Sequence, residues 1–235
     1  DKVVLAGNIG TPLCHYVKNI KSGDYLVMEI SDHQLCDMYD FKTNTSIITN
    51  IYECHTDFHD SHERYVMTKK KIFNHHTKDD TAIINMDNKE VMDMTKDIKS
   101  SKLYFSCIDQ TNCYYKDGFI YFDNVKYLDT SKIVLKGMHN YQNIMCAILA
   151  AKVYGVNDEI IKDVVSTFSG VLGETQKNEL LFELNLNSCS FNVKAIMDDI
   201  KEKGALSEYL SFTDVDNQQV CSKLSEDVYI YSQQT

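Results

Sequence analysis

The chain has 235 residues, of which 43% are hydrophobic, so it can bury a sizeable core in one large domain or two small ones. Its net charge is −10, and its densest basic cluster is Lys69-Lys70-Lys71, which argues against nucleic acid or an anionic membrane as the main partner. No apolar run approaches the roughly 18 residues that a membrane span requires.

The chain begins at Asp1, without a start methionine or a signal peptide, and we expect a fragment or a processed piece. Its eight cysteines include no Cys-x-x-Cys pair. A chain of this size does not need disulfides for stability, so the cysteines are predicted to be reduced thiols.

The first predicted strand leads directly into a glycine-rich turn, Ala6-Gly7-Asn8-Ile9-Gly10. Ligands bind at this point of an open α/β sheet, because backbone N–H groups and a helix N-terminus face the crevice beyond the strand. Gly7 and Gly10 permit the tight turn, and Asn8 offers an amide group. Taken alone, the turn is weak evidence for a site, since most such turns bind nothing.

Apolar strands then alternate with helical patterns, which favours a parallel sheet covered by helices. Strands are predicted at 25–30, 45–51, 81–85 and 102–106, with a helix over 61–75. Three short β-rich pieces follow, at 113–115, 119–122 and 125–128, and Asp117-Gly118 and Asp123-Asn124 separate them. These dipeptides are typical of tight hairpins, so we expect a small antiparallel subsheet.

Residues 137–154 are apolar nearly all round, which predicts a buried helix. Asn157 caps a second helix, in which one apolar stripe is predicted to face the core: Ile160, Ile161, Val164, Val165 and Phe168. Beyond Gly170 the pattern weakens to a helix at 193–203 and a strand at 228–231. The predicted fold class is α/β, with a mostly parallel sheet flanked by helices and a small antiparallel subsheet.

Several polar side chains follow the second predicted strand, in Glu29-Ile30-Ser31-Asp32-His33-Gln34-Leu35. Glu29 is a hard oxygen ligand that suits Mg²⁺, and Ser31 and Gln34 can hydrogen-bond a polar substrate. A solvated loop with a helix N-cap is the alternative interpretation of this segment.

Residues that suit a transition metal follow the third predicted strand: His55, Asp57 and His59, with Cys54 adjacent. No second Cys/His pair lies at zinc spacing, so zinc is the weaker interpretation. The helix that follows ends in three lysines. A run of lysines is ordinarily a solvated face, and the alternative is that one of them approaches a metal and phosphate site.

The buried helix opens with Lys136-Gly137-Met138-His139-Asn140-Tyr141-Gln142-Asn143. Polar residues at the N-terminus of an apolar helix suit a nucleotide or a phosphate. Helix capping would explain one of Asn140 and Asn143, but not both together with His139.

In order and spacing, these segments resemble the central ATPase domain of the Mur ligases, a family of cytoplasmic peptidoglycan enzymes. The resemblance covers about residues 1–170 and rests on five motifs together: Ala6-Gly7-Asn8-Ile9-Gly10, Glu29-x-Ser31-x-x-Gln34-Leu35, His55-x-Asp57, Asn85-x-Asp87 and Gly137-x-His139-Asn140-x-x-Asn143. The second motif favours the branch of the family that adds D-glutamate. By this resemblance, 1–170 is a P-loop-NTPase-like central domain and 171–235 is a divergent segment.

The resemblance implies a role for each matching residue. The UDP-N-acetylmuramoyl-L-alanine substrate would be held by Asn8, Ser31 and Gln34. The Mg²⁺ sites would include Glu29, His55 and Lys69, the last of which matches a lysine that CO₂ carbamylates. Lys70 or Lys71 is the alternative if the register differs. The adenine nucleotide would be approached by His139, Asn140 and Asn143.

The implied reaction is ATP-dependent ligation in the cytoplasm by a monomer. ATP phosphorylates the alanyl carboxylate to an acyl phosphate, and the amine of D-glutamate then attacks it. Mg²⁺ and cationic groups stabilise the phosphoryl transfer, and the site holds the reactants in line.

The chain departs from the family pattern in two places. The family's Gly-Lys-Thr phosphate loop is expected about twenty residues before Asn8, but only seven residues precede Asn8 here, so we expect weakened ATP binding. After Gly170, where the family has a His-Arg pair, the chain reads Leu172-Gly173-Glu174, and Arg64 is its only arginine.

Two alternatives to an active ligase follow from these departures and from the histidines. One is a non-catalytic relic that retains the fold and sugar-nucleotide binding. The other is an unrelated metal-dependent hydrolase built on His55, Asp57 and His59.

Overall fold

The computed structural model of the chain describes residues 2–8, 12–52 and 56–168. Its strands and α-helices follow in chain order: β1 (Val3–Gly7), α1 (Leu13–Tyr16), β2 (Tyr25–Glu29), α2 (Asp32–Cys36), β3 (Thr45–Ile48), α3 (Thr56–His59), α4 (His62–Lys70), β4 (Thr81–Asn85), α5 (Lys89–Met94), β5 (Ser101–Ser106), β6 (Cys113–Lys116), β7 (Phe119–Phe122), β8 (Val125–Asp129), α6 (Met138–Val153) and α7 (Asp158–Thr167).

Six of the strands form one sheet in the order β3-β4-β5-β6-β7-β8. Neighbouring strands are parallel from β3 to β6, and β6, β7 and β8 pair antiparallel. Residues with positive φ occupy the two hairpin turns, including Asp117 (48°), Asp123 (47°) and Asn124 (67°). The predicted strands and the antiparallel subsheet are therefore confirmed, although β3 ends at Ile48 rather than at residue 51. The helix predicted over 61–75 is α-helical over His62–Lys70 and continues as a 3-10 helix over Lys71–Phe73.

The other two strands form a separate two-stranded parallel sheet, β1-β2. Their backbones come very close where Gly7 pairs with Glu29. Gly7 has φ +138°, and a Cβ there would lie 2.8 Å from the Glu29 backbone nitrogen and closer still to its carbonyl oxygen. Only glycine fits this position without a shift in the backbone.

The six-stranded sheet carries helices on both faces, because its central strands are apolar on both faces. Ile83 of β4 belongs to the core cluster that contains Met145 and Leu149 of α6. Its neighbour Ile84 points to the opposite face, where Tyr65 of α4 and Val91 of α5 complete a second cluster. This alternation is the two-residue period of a strand.

The last helix, α7, differs in part from its prediction, whereas α6 occupies Met138–Val153 of the predicted 137–154. Asn157 caps α7 as predicted, since its side chain accepts a hydrogen bond from the Glu159 N–H group at 2.8 Å. Only part of the predicted core stripe is buried, however. Ile161 and Val165 are buried, whereas the side chains on the neighbouring line of the helix are 48–58% exposed: Ile160, Val164 and Phe168. The apolar stripe of α7 is wider than the surface it covers.

Within the ranges given above, no helix combines the length and the apolar character needed to cross a membrane. The helix predicted at 193–203 and the strand predicted at 228–231 lie outside the described residues.

Candidate functional site

Four predicted site residues, Asn8, Glu29, Ser31 and Gln34, lie at or just beyond the carboxyl ends of the parallel strands β1 and β2. Asn8 follows β1, and its backbone N–H donates to the Glu29 carbonyl oxygen at 2.9 Å. The side chain of Asn8 is exposed, and that of Glu29, the last residue of β2, is half-buried. The pairing of β1 with β2 therefore brings the first two predicted site residues together.

Ser31 and Gln34 form a capping box at the start of α2. The Ser31 Oγ accepts from the Gln34 N–H at 3.2 Å, and the Gln34 Oε1 accepts from the Ser31 N–H at 3.0 Å. The N-cap of the alternative interpretation is thus present. The box uses only acceptor oxygens, so the Ser31 hydroxyl hydrogen and the Gln34 Nε2 amide group keep their capacity to donate to a ligand.

A buried carboxylate that the sequence did not single out lies beside this turn. Asp32 is 1% exposed, and its Oδ2 lies 2.6 Å from the His59 Nε2 and 3.4 Å from the His33 Nδ1. Its Oδ1 lies 3.9 Å from the Lys69 Nζ. These four residues, named here the Asp32 cluster, connect α2 to α3 and to the end of α4. An acidic residue in the first turn of a helix is so common that its sequence position gave no signal.

The three lysines of the basic run have separate environments. Lys69 is 7% exposed, and its Nζ lies 5.7 Å from the centre of the Tyr65 ring as well as near Asp32. Lys70 pairs with Asp97 at 2.6 Å, and the Lys71 Nζ donates to the Cys36 carbonyl oxygen at 2.8 Å. Of the three lysines, therefore, Lys69 is the one that lies near the Asp32 carboxylate.

The described residues do not assemble a metal site of three or more His, Cys, Asp or Glu side chains. The Nε2 of His59 is already bonded to Asp32, which counts against its use as a zinc ligand in the hydrolase hypothesis. His55 lies outside the described residues, and the position of the Asp57 side chain is not described. Mg²⁺ is commonly held by one or two carboxylates with water and substrate phosphates, and a single half-buried Glu29 fits that pattern.

The start of α6 holds the predicted nucleotide residues. Asn140 is buried, and its Nδ2 donates to the Lys136 carbonyl oxygen at 2.8 Å. His139 is exposed and Asn143 is half-buried. Gly137 has φ +105°, and a Cβ there would lie 3.1 Å from the His139 imidazole. Asn140 therefore stabilises the first turn of the helix through its own side chain.

Asp87 joins this turn to the sheet. Its carboxylate accepts hydrogen bonds from the Ser106 hydroxyl, the Cys107 N–H at 2.7 Å and the Gln142 Nε2 at 3.2 Å. Asn85, at the end of β4, accepts from the Asp87 N–H at 2.9 Å. The motif Asn85-x-Asp87 was recognisable in the sequence. The partners Ser106 and Gln142 were missed, although a serine that ends a buried strand was an available signal.

Comparisons with known proteins agree on one family. A model described as the Mur ligase middle domain matches residues 5–151. The UDP-N-acetylmuramoylalanine--D-glutamate ligase of Geobacillus sp. (strain WCH70) is 38% identical over 170 residues, which are 72% of this chain and 38% of that enzyme. The enzyme of the same name from Staphylococcus aureus (strain Newman) is 39% identical over 168 residues, 71% of this chain and 37% of its own. The chain thus spans about two fifths of the length of these relatives.

Solved structures show the same fold. MurF from Acinetobacter baumannii superposes with a TM-score of 0.55 at 14% identity, over 74% of this chain and 47% of that one. A UDP-N-acetylmuramoyl-L-alanyl-D-glutamate--2,6-diaminopimelate ligase superposes with a TM-score of 0.51 at 19% identity, over 63% of this chain and 33% of that one. The predicted α/β fold class is confirmed.

Proposed function

This chain belongs to the Mur ligase middle domain family, and from that membership we propose that it is the central part of an ATP-dependent ligase. The proposed reaction adds D-glutamate to UDP-N-acetylmuramoyl-L-alanine through an acyl phosphate. The observation that carries the proposal is the 38% identity over 170 residues to an enzyme named for this reaction.

We also propose that the protein acts in the cytoplasm as a monomer, and that 1–170 is one domain and 171–235 a separate segment.

We propose that the UDP-muramoyl substrate binds at Asn8, Ser31 and Gln34. Its phosphates and sugar hydroxyls accept hydrogen bonds, and these three side chains can all donate. The capping box supports this role, because it fixes the Ser31 and Gln34 side chains through their oxygens while leaving their donors available. The exposed Asn8 lies at the end of the neighbouring strand.

We propose Lys69, His55 and Glu29 as the catalytic residues and as the residues that would hold Mg²⁺, with Lys69 in a carbamylated form. Carbamylation would replace the ammonium group by an anionic oxygen ligand on a long stem. When bound, Mg²⁺ would supply Lewis-acid stabilisation of the transferring phosphoryl group. The burial of Lys69 at the end of α4 supports a role for this lysine over its two neighbours.

We propose that the adenine nucleotide binds at His139, Asn140 and Asn143. The N-terminus of the 16-residue α6 offers a positive dipole end, and the Asp87 hydrogen bonds hold this turn against the ends of β4 and β5. Asparagine amides can pair with the donor and acceptor atoms of an adenine edge.

In the proposed mechanism, these residues mainly position the reactants. An oxygen of the alanyl carboxylate attacks the γ-phosphorus of ATP, and the bond to the bridging oxygen breaks, which releases ADP. The D-glutamate nitrogen then attacks the acyl carbon, phosphate leaves with its electron pair, and the amine loses a proton. Holding the carboxylate and the phosphoryl group in line lowers the barrier, because their translational and rotational freedom is lost on binding rather than in the reaction.

ADP release tests this proposal directly. The chain is incubated with ATP, Mg²⁺ and UDP-N-acetylmuramoyl-L-alanine, with and without D-glutamate, and ADP is measured by chromatography. A ligase releases ADP continuously only when D-glutamate is present, because without it the reaction stops at the acyl phosphate, and Glu29→Gln abolishes this turnover.

A non-catalytic relic that keeps sugar-nucleotide binding is the second candidate. One observation favours it: Arg64, the only arginine in the chain, is 68% exposed in its side chain and pairs with Asp60. Because Arg64 is exposed and paired with Asp60, it does not lie where it could stabilise a transferring phosphoryl group. The relic predicts substrate binding without any ADP release.

A further inference from the structure

The Asp32 carboxylate joins the proposed substrate turn to a different part of the molecule. Asp32 directly follows Ser31 in the sequence and lies in the same helical turn as Gln34. Its partners come from elsewhere: His59 is the last residue of α3, and Lys69 is next to the last residue of α4. One carboxylate on α2 thus contacts two other helices, α3 and α4.

The contact between Asp32 and His59 is the tightest in this cluster. The two side chains are 1% and 4% exposed, and the Asp32 Oδ2 lies 2.6 Å from the His59 Nε2. The imidazole is fixed in turn by aromatic neighbours, with ring centres 4.8 Å away at Phe58 and 5.5 Å away at Tyr65. A short charge-assisted hydrogen bond between two immobile groups fixes their separation and their orientation.

Helix α2 needs such an anchor. It has five residues, of which Asp32 and Leu35 are buried. A helix this short is not stable by itself and takes its position from the contacts it makes. The capping box sets the shape of the turn, and the Lys71 hydrogen bond to the Cys36 carbonyl oxygen holds the carboxyl end of the helix. Asp32 holds its amino end, where Ser31 lies.

From this geometry we infer that Asp32 is a positioning residue of the substrate site. Through its hydrogen bond to His59 it holds the Ser31 and Gln34 donors at a fixed place relative to α4 and Lys69. The inference rests on the proposed function, because that proposal assigns Ser31 and Gln34 to the UDP-muramoyl substrate. The alternative is that the Asp32 cluster only stabilises the fold.

Two ligands and four variants separate these roles. Dissociation constants for UDP-N-acetylmuramoyl-L-alanine and for ATP are measured by calorimetry below the unfolding temperature of each variant. Asp32→Ala and His59→Ala break the hydrogen bond, and we expect each to weaken binding of the muramoyl substrate by about tenfold to a hundredfold. Binding of ATP is measured without Mg²⁺, so that Lys69 does not contribute. It is expected to change by less than about twofold, because its proposed residues lie on α6 and none of them belongs to the Asp32 cluster.

The rescue variant is His59→Gln. The Gln Nε2 can lie near the position of the imidazole Nε2 and donate to Asp32, so substrate affinity is expected within about threefold of the wild type. The matched control is Asp97→Ala, which removes an Asp–Lys pair at the neighbouring lysine, Lys70. That pair is exposed, and we expect neither affinity to change.

Three results would overturn the inference: equal loss of both affinities, His59→Gln binding as weakly as His59→Ala, or unchanged substrate affinity in Asp32→Ala. If Asp32→Ala does not fold, the two His59 variants decide the question. If the wild type does not bind the muramoyl substrate, the proposed function fails, and the backbone amide resonances of 31–34 then test the anchor. They should shift in His59→Ala and not in His59→Gln, and any other pattern contradicts the inference.

Discussion

The six-stranded sheet and the two-stranded sheet of this chain differ in how completely their side chains are buried. In β4, residues 82–85 are completely buried, with helices on both sides. In β1 and β2, one face consists of large apolar side chains that are 41–70% exposed: Val3, Leu5, Tyr25 and Val27. The first sheet has a core on both faces. The second buries only its other face, at Val4 and Ala6, and is also held by a few specific contacts.

Those contacts are found at both ends of the two-stranded sheet. At the amino end, the Tyr25 and Tyr154 rings lie 5.4 Å apart edge to face, and the Tyr154 hydroxyl lies 3.1 Å from the Thr45 Oγ1 of β3. At the carboxyl end, Asp32 bonds to His59. The proposed nucleotide residues therefore lie beside the six-stranded sheet, which is well packed. The proposed substrate residues lie beside the two-stranded sheet, which has fewer contacts.

The substitution with the largest expected effect on stability tests the difference in packing between the two sheets. Ile83→Ala removes a fully buried side chain from the core beneath α6, and we expect it to lower the free energy of unfolding by about 2–5 kcal/mol. Leu5→Ala, at a side chain 70% exposed, is expected to cost less than about 0.5 kcal/mol. Chemical denaturation of both variants measures the contrast, and equal losses would show that the two sheets are packed alike.

The next substitution tests the close approach within the two-stranded sheet. Gly7→Ala forces a Cβ against the Glu29 backbone at φ +138°, with an expected cost of about 2–4 kcal/mol from strain and overlap. Gly118→Ala also has a positive φ, but no atom lies within 4 Å of its Cβ, so backbone strain alone should cost about 1 kcal/mol. Thermal unfolding compares the two, and a Gly7 variant as stable as the Gly118 variant would refute the close approach.

A smaller effect is expected at the Asp87 hydrogen bonds. Asp87→Ala leaves the Gln142 amide, the Ser106 hydroxyl and the Cys107 N–H without their acceptor, at a cost of about 1–3 kcal/mol. ATP affinity should fall and affinity for the muramoyl substrate should not. Asp109→Ala is the control, because Asp109 is exposed and lies on the connection from β5 to β6 that also contains Cys107. Loss of both affinities would contradict the division of the site between the two sheets.

The smallest effect concerns pH. His76 is buried, with its Nε2 2.8 Å from the Thr43 Oγ1 and its Nδ1 2.7 Å from the Ser100 Oγ. Burial, the largest cause, lowers the pKa of His76 below its usual 6.5, and Lys42 adds to this while Asp80 opposes it. The unfolded chain therefore binds a proton at His76 at a higher pH than the folded chain does.

The contribution of His76 to the free energy of unfolding is expected to be fully present above pH 6.5. It is lost as the pH falls through the lowered pKa of His76. The pKa of Asp80 is lowered to about 2, chiefly by the Thr77 N–H, so the contribution of Asp80 is lost only between pH 3.8 and about 2. The two windows are separate. The slope of the denaturation midpoint against pH just below 6.5 should therefore be smaller in His76→Gln than in the wild type, and an unchanged slope would contradict this assignment.

The sequence predicted most of the fold because the local signals agreed with the tertiary structure. Strands such as β4 are short apolar runs bounded by polar residues, and the Asp117-Gly118 and Asp123-Asn124 turns fit only tight hairpins. The stripe on α7 was predicted too wide, because periodicity identifies an apolar face but not how much of it a neighbour covers. Ile160 and Ile161 are alike in the sequence, and only one of them is buried.

The site was less predictable for a similar reason. Ser31 and Gln34 were identified by spacing, yet their capping box shows that the same spacing serves the helix as well. His59 was considered as a metal ligand, but it bonds to Asp32, 27 residues earlier in the chain. A hydrogen bond between distant side chains leaves no local pattern, so sequence analysis had no means of finding the Asp32 cluster.

Calorimetric titration of UDP-N-acetylmuramoyl-L-alanine into the wild-type chain and into Asn8→Ala tests the central claim most directly. If the substrate site lies at the carboxyl ends of β1 and β2, the wild type binds saturably, and loss of the Asn8 amide weakens binding by about tenfold. Leu5→Ala, on the same strand but with its side chain on the exposed face, should bind like the wild type. Absence of binding, or equal affinity in Asn8→Ala, would contradict the account.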